Sequence, residues 1–126
     1  MLKKILKWSF SLFYMVAGVN HFLNPQFYYG LIPNYLPFPE CINYLSGVAE
    51  LIFGFFALFA KTEKIGGLGI LLLLILFIPA HVYFIQIGSC INGGLCVAQW
   101  IGWVRLVVIH PLLLIWAWQI TGLKRL

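Results

Sequence analysis

Charge is what this sequence has least of. Only 9% of its 126 residues are charged and only three are acidic, while 63% are hydrophobic. A water-soluble domain carries about 25% charged residues, because its surface has to face water. The apolar side chains here must face something else, and lipid is the direct candidate. The sequence also lacks an internal repeat, a low-complexity segment and a polar linker, so one domain over residues 1–126 is expected. No C-x-x-C pair occurs, and no two of His21, Glu50, His81 and His110 stand three or four residues apart on one run. The first absence argues against a dithiol of the usual redox type. The second argues against a metal site or bis-histidine haem, and no metal is expected.

The net charge of +5 does not point to nucleic acid. Its lysines and arginines, Arg105 apart, sit in three short clusters beside apolar runs, Lys3/Lys4/Lys7, Lys61/Lys64 and Lys124/Arg125, rather than along one stripe.

Four apolar runs have the length a spanning helix needs, about 20 residues for a hydrocarbon core about 30 Å thick. They cover about 5–22, 42–60, 65–86 and 100–121. The fold class expected is therefore all-α, a polytopic four-helix membrane bundle. All the basic clusters flank the same ends of these runs, and the other two connectors hold no Lys or Arg. That asymmetry puts both termini on the cytoplasmic side of the cell inner (plasma) membrane, with the lipid bilayer as the obligate surrounding. Trp8, Trp116 and Trp118 mark the inner interface, and Tyr28, Tyr29, Tyr35, Trp100 and Trp103 the outer one. The start also resembles a signal peptide, but Met15 stands where a small residue would be needed before Ala17, so cleavage is not expected.

The first outer connector, Asn24 to Glu40, holds Pro25, Pro33, Pro37 and Pro39, with Phe27, Tyr28, Tyr29 and Tyr35 among the aromatics between them. It reads either as a compact lid on the outer end or as an ordinary interfacial loop.

Ionisable residues inside spans cost about 3 kcal/mol each near the bilayer centre. Five occur here, His21, Glu50, His81, Arg105 and His110, all between the outer boundary and the midplane. Equal depth suggests one shared polar pocket. Ser46, Gly47, Glu50 and Gly54 share one helical face, and Ser11, Tyr14, Gly18 and His21 form a stripe on the first run. Pro79 and Pro111 should kink their helices beside His81 and His110. A Glu50–Arg105 ion pair, with His81 beside it, would neutralise the two costliest groups. The alternative is that such a pair only fixes helix packing. For His21 the alternative is an interfacial cap, and for His110 a bond to a carbonyl freed by a kink. Cys41, Cys90 and Cys96 all lie on the outer side, where disulfides persist. The turn residues Asn92-Gly93-Gly94 favour a Cys90–Cys96 bridge.

Gly18-Val19-Asn20-His21-Phe22-Leu23-Asn24-Pro25-Gln26-Phe27-Tyr28, Ile32-Pro33-Asn34-Tyr35-Leu36-Pro37, Ser46-Gly47-Val48-Ala49-Glu50, Pro79-Ala80-His81, Arg105-Leu106 and Trp116-Ala117 together resemble the DoxX-like family of small membrane proteins. The chain departs from the family pattern at His81, where many members have Asn, and at Val107, which replaces the proline of R-L-P-x-Q. The resemblance implies a four-helix bundle. It implies either a role associated with quinone-coupled thiol or sulfur oxidation or, through a distant animal relative, a chaperone role in acetylcholine receptor assembly. Quinone is the cofactor-like molecule these residues suggest, and catalysis is not settled by them. The runner-up is a non-enzymatic assembly or interaction factor with a membrane-protein partner or a second copy of the chain. A bare structural bundle is the third reading.

The topology has a direct check. Alkaline phosphatase fused to the C-terminus should be inactive in a bacterial host, whereas a fusion in the Asn24–Glu40 connector should be active. The opposite pattern would invert the orientation.

Overall fold

A computed structural model describes residues 1–122; the Lys124/Arg125 cluster lies outside the described residues. The described chain is all-helical, with a single isolated β-bridge between Cys90 and Cys96. The elements are α1 (Leu2–Leu23), α2 (Pro25–Tyr29), α3 (Pro39–Phe56), α4 (Glu63–Leu76), α5 (Ile78–Gln86), α6 (Gln99–Val104), a π-helical turn (Arg105–Ile109) and α7 (His110–Ile120). α4 and α5 run on as one helix, Glu63–Gln86, and α6, the π turn and α7 as another, Gln99–Ile120.

These two composite helices are long and apolar enough to cross a membrane. Only 22% and 17% of their most apolar windows are buried, so neither reads as the core helix of a soluble protein. α1 and α3 are as exposed on their apolar side, where Leu12, Phe13, Val16, Leu45, Ile52 and Phe55 point outward. Their mean hydropathy is lowered by Lys7, Asn20 and His21 in one and by Glu40, Asn43 and Glu50 in the other.

Each long helix packs on the next in sequence, α1 on α3, α3 on α4, and α4 on α7; α7 returns to touch α1. The core joins them through Phe10, Tyr14, Ala57, Ile70, Leu74, Ala117 and Ile120. At the end away from the lid, Trp116 sets its ring edge-on to Phe10 and donates from Nε1 to the Leu6 carbonyl at 3.2 Å. Lys7 and Glu63 pair there at 3.1 Å, with Glu63 in the first turn of α4, where the helix dipole favours a carboxylate.

Element boundaries depart from the sequence reading where proline was taken only as a breaker. Pro39 sits in the first turn of α3, where its missing N–H has no partner to lose, so this helix starts three residues before 42. It ends at Phe56, and Ala57 to Thr62 form turns closed by the Thr62 hydroxyl, which donates to the Phe56 carbonyl at 2.7 Å. Pro25 likewise opens the short α2 inside the lid segment.

That segment is folded down. Pro33 is buried, and Tyr35 meets Tyr83 of α5 edge-on at 6.4 Å. Gly30 lies so close to Ile91 that a Cβ there would sit 2.6 Å from its side chain. Ile91 belongs to a hairpin closed by the Cys90–Cys96 disulfide and by Ile91 N–H donating to the Leu95 carbonyl at 2.8 Å. Gly93 takes φ of 75° at its tip, a conformation open to glycine. Cys41 is free and exposed. Denatured, unreduced protein made in an oxidising compartment should therefore show one alkylatable thiol by mass, and three after reduction. Three before reduction would mean that the bridge does not form.

Candidate functional site

The site begins with two glycines. Gly18 of α1 and Gly47 of α3 face each other so closely that a Cβ on Gly18 would lie 2.8 Å from the Gly47 carbonyl. A Cβ on Gly47 would lie 2.7 Å from Cβ of His21. Small residues let two helix backbones approach in this way. One turn further along α1, the approach brings His21 against α3.

His21 is held on three sides. Nδ1 meets Oδ1 of Asn43 at 2.7 Å, Nε2 meets Oε2 of Glu50 at 3.3 Å, and the ring stacks on Tyr28 at 3.8 Å between centroids. Asn43 also donates from Nδ2 to the His21 carbonyl at 3.0 Å. That second bond fixes which end of the amide is oxygen, so Nδ1 of His21 must carry the hydrogen and donate. Nε2 then faces Glu50 at ion-pair distance, though outside hydrogen-bond geometry, and one proton is enough to serve both groups. Either the histidine holds it, as imidazolium beside carboxylate, or Glu50 holds it, as carboxylic acid beside neutral imidazole. Both arrangements are neutral overall, which is the condition for burying such a pair away from water. His21, Asn43 and Glu50 are all buried.

Other proton-bearing groups line the same seam. Ser11 Oγ and Tyr14 Oη are buried on the His21 face of α1, with no hydrogen-bond partner among the described residues. Tyr14 lies within electrostatic reach of Glu50. At the lid end, Asn20 donates to the Tyr28 hydroxyl at 2.7 Å and accepts from Asn24 at 2.7 Å. The Tyr28 hydroxyl hydrogen stays free to donate elsewhere. Asn20 and Tyr28 also close one end of a groove of about 550 Å³ on α1, whose walls are Leu12, Phe13, Val16 and Ala17 and whose far end is Ser9. A larger cleft, about 640 Å³, opens at the opposite end of the molecule among Lys3, Lys4, Lys7, Glu63 and Gln119, away from these groups.

The five ionisable residues do not form one pocket. Glu50 pairs with His21 and not with Arg105, so the ion pair read from equal depth is not made. The reason is helix order. α3 lies between α1 and α4, while the Arg105 turn, in the middle of the Gln99–Ile120 helix, packs against α5. Depth places two groups at one level but says nothing about which sides of the bundle they face. Arg105, His81 and His110 gather separately. Arg105 lies over the Phe84 ring, 4.8 Å from its centroid. The His81 and His110 rings meet at 4.6 Å. His110 donates from Nε2 to the Leu74 carbonyl at 2.7 Å, just before the helix is interrupted at Phe77 ahead of Pro79. The His110 backbone N–H reaches back five residues to Arg105 O, which makes the π turn ahead of Pro111. Among the described residues, no three His, Cys, Asp or Glu side chains gather as a metal-ligand set.

The sequence reading missed Asn43 and Tyr28 as partners of His21. Asn43 was legible, because Asn43, Gly47, Glu50 and Gly54 recur at helical spacing and all four are buried. Tyr28 was not, because only the short α2 turns it back onto the histidine.

The pairing predicts a pattern of stabilities in detergent. His21→Ala should cost about 1–3 kcal/mol, since it removes the partner of both Asn43 and Glu50. Glu50→Gln should cost less, because an amide can still donate to Nε2. A double-mutant cycle on His21 and Glu50 should return about 0.5–3 kcal/mol of coupling, whereas Glu50 and Arg105 should be additive to within about 0.5 kcal/mol. Equal coupling in both cycles would contradict the two separate clusters.

Comparison with known proteins adds a family. No curated protein and no solved structure matches the chain. Residues 10–121 match a family model described as a domain of unknown function, DUF8561. That match takes in α1 from Phe10, α3, both composite helices and every residue of the two clusters, and the chain belongs to the DUF8561 family.

Proposed function

We propose that this protein is a four-span inner-membrane protein of the DoxX-like type, with both termini cytoplasmic, whose His21–Glu50 pair handles protons for quinone-linked thiol redox chemistry. The carrying observation is the buried approach of His21 Nε2 to Glu50 Oε2 at 3.3 Å, next to a groove with a polar end and apolar walls.

Three features support the membrane part. Two helices have spanning length and are mostly unburied, and α1 and α3 turn comparable apolar faces outward beside them. The Lys3/Lys4/Lys7 and Lys61/Lys64 clusters lie at the same end of the helices. The opposite end carries a disulfide, which belongs to an oxidising compartment.

The redox part rests on chemical balance. A quinone becoming a quinol takes up two electrons and two protons. Two thiols becoming a disulfide release the same number of each. The protein's share is proton handling and positioning. A quinone ring at the lid end of the groove would accept a hydrogen bond from Tyr28, with its apolar chain along Leu12, Phe13 and Val16. Tyr28 stacks on His21, so the ring would sit one side chain from the proton pair.

Native mass spectrometry of gently purified protein tests this reading. A co-purifying quinone, depleted in Tyr28→Ala, is expected. A co-purifying membrane protein with no quinone would replace it with an assembly role.

A further inference from the structure

Arg105 is a half-buried cation with no carboxylate beside it among the described residues. It follows the six-residue α6, which places it about 9 Å along the Gln99–Ile120 helix at 1.5 Å per residue. Its Nη1 is buried and has no hydrogen-bond partner among the described residues. The three glutamate side chains are placed elsewhere. Glu63 is on Lys7, Glu50 on His21, and Glu40 is exposed at the start of α3. Phe84 offers Arg105 a ring face, which attracts the charge but accepts none of its five N–H donors in the way an oxyanion does. An arginine that merely snorkelled would carry its guanidinium out to the interface, whereas here Nη1 is enclosed.

The surroundings fit an anion. His81 lies within electrostatic reach of Arg105, and its ring nitrogens make no hydrogen bond among the described residues. His110, whose ring meets that of His81, is already committed to the Leu74 carbonyl. Trp103, Val107 and Val108, which flank Arg105 in sequence, are exposed and apolar.

We propose that Arg105 anchors an oxyanion site for a membrane amphiphile: its guanidinium holds a carboxylate or phosphate headgroup, and the lipid chain lies against the apolar side chains beside it. A planar two-toothed guanidinium matches either headgroup, and an anion that arrives from the bilayer needs no path through water. This site is separate from the His21–Glu50 pair and stands whether or not that pair serves a redox reaction.

The test uses the full chain in phosphatidylcholine nanodiscs, with fluorescent oleate as one probe and phosphatidylglycerol retention by native mass spectrometry as the other. Arg105→Gln should weaken at least one of them tenfold or more, Arg105→Lys should recover part of the loss, and Lys61→Gln should change neither. Loss of oleate assigns the carboxylate, and loss of phosphatidylglycerol the phosphate. Equal binding of both probes by wild type and Arg105→Gln overturns the proposal, as does a loss that Lys61→Gln reproduces. Should Arg105→Gln fail to fold, phenylglyoxal labelling of the wild type replaces it. One of the probes should protect Arg105 from modification, and protection by neither overturns the site.

Discussion

A polar group in a helix with little water around it must be neutralised by a neighbour, and the whole lid half of this molecule is arranged around that requirement. His21 and Glu50 meet it by facing each other at ion-pair distance across two helices. The pairing requires α1 and α3 to run almost in backbone contact, which the Gly18–Gly47 approach permits. Asn43 then fixes the histidine's tautomer, and Tyr28 caps its ring. Remove the close approach and the pair separates into two buried groups that each need water or a proton from elsewhere. Packing and chemistry at this seam are therefore the same fact.

The second cluster meets the requirement only halfway. His110 satisfies a carbonyl near a proline-interrupted turn, and Arg105 has a ring face but, among the described residues, no acceptor for its Nη1.

Much of this was legible in the sequence, and the failures have a common cause. The stripe Ser11, Tyr14, Gly18 and His21 is buried as its 3.6-residue spacing implies. The turn at Asn92-Gly93-Gly94 and its two cysteines form a closed hairpin. These are local readings, settled within a few residues. The Glu50–Arg105 pairing was not local. It depended on which helices are neighbours, and the periodicity of one helix carries no information about the azimuth of the next. Tyr28 escaped for a related reason. A short helix started by Pro25 redirects the chain after Asn24, and a proline-rich connector read as a lid or an interfacial loop gives no hint of that turn.

The π turn at Arg105–Ile109 carries a consequence of its own. A wider turn holds what amounts to one extra residue, so side chains above and below it are out of helical phase by about 100°. α6 above packs on α5, and α7 below packs on α4 and α1. A regular helix presents one continuous stripe and would have to bend or coil to serve neighbours on different sides. This one serves them by a slip in phase. The two halves of the last helix thereby become separately addressable in sequence, each free to vary against its own neighbour, with Arg105 standing at the joint.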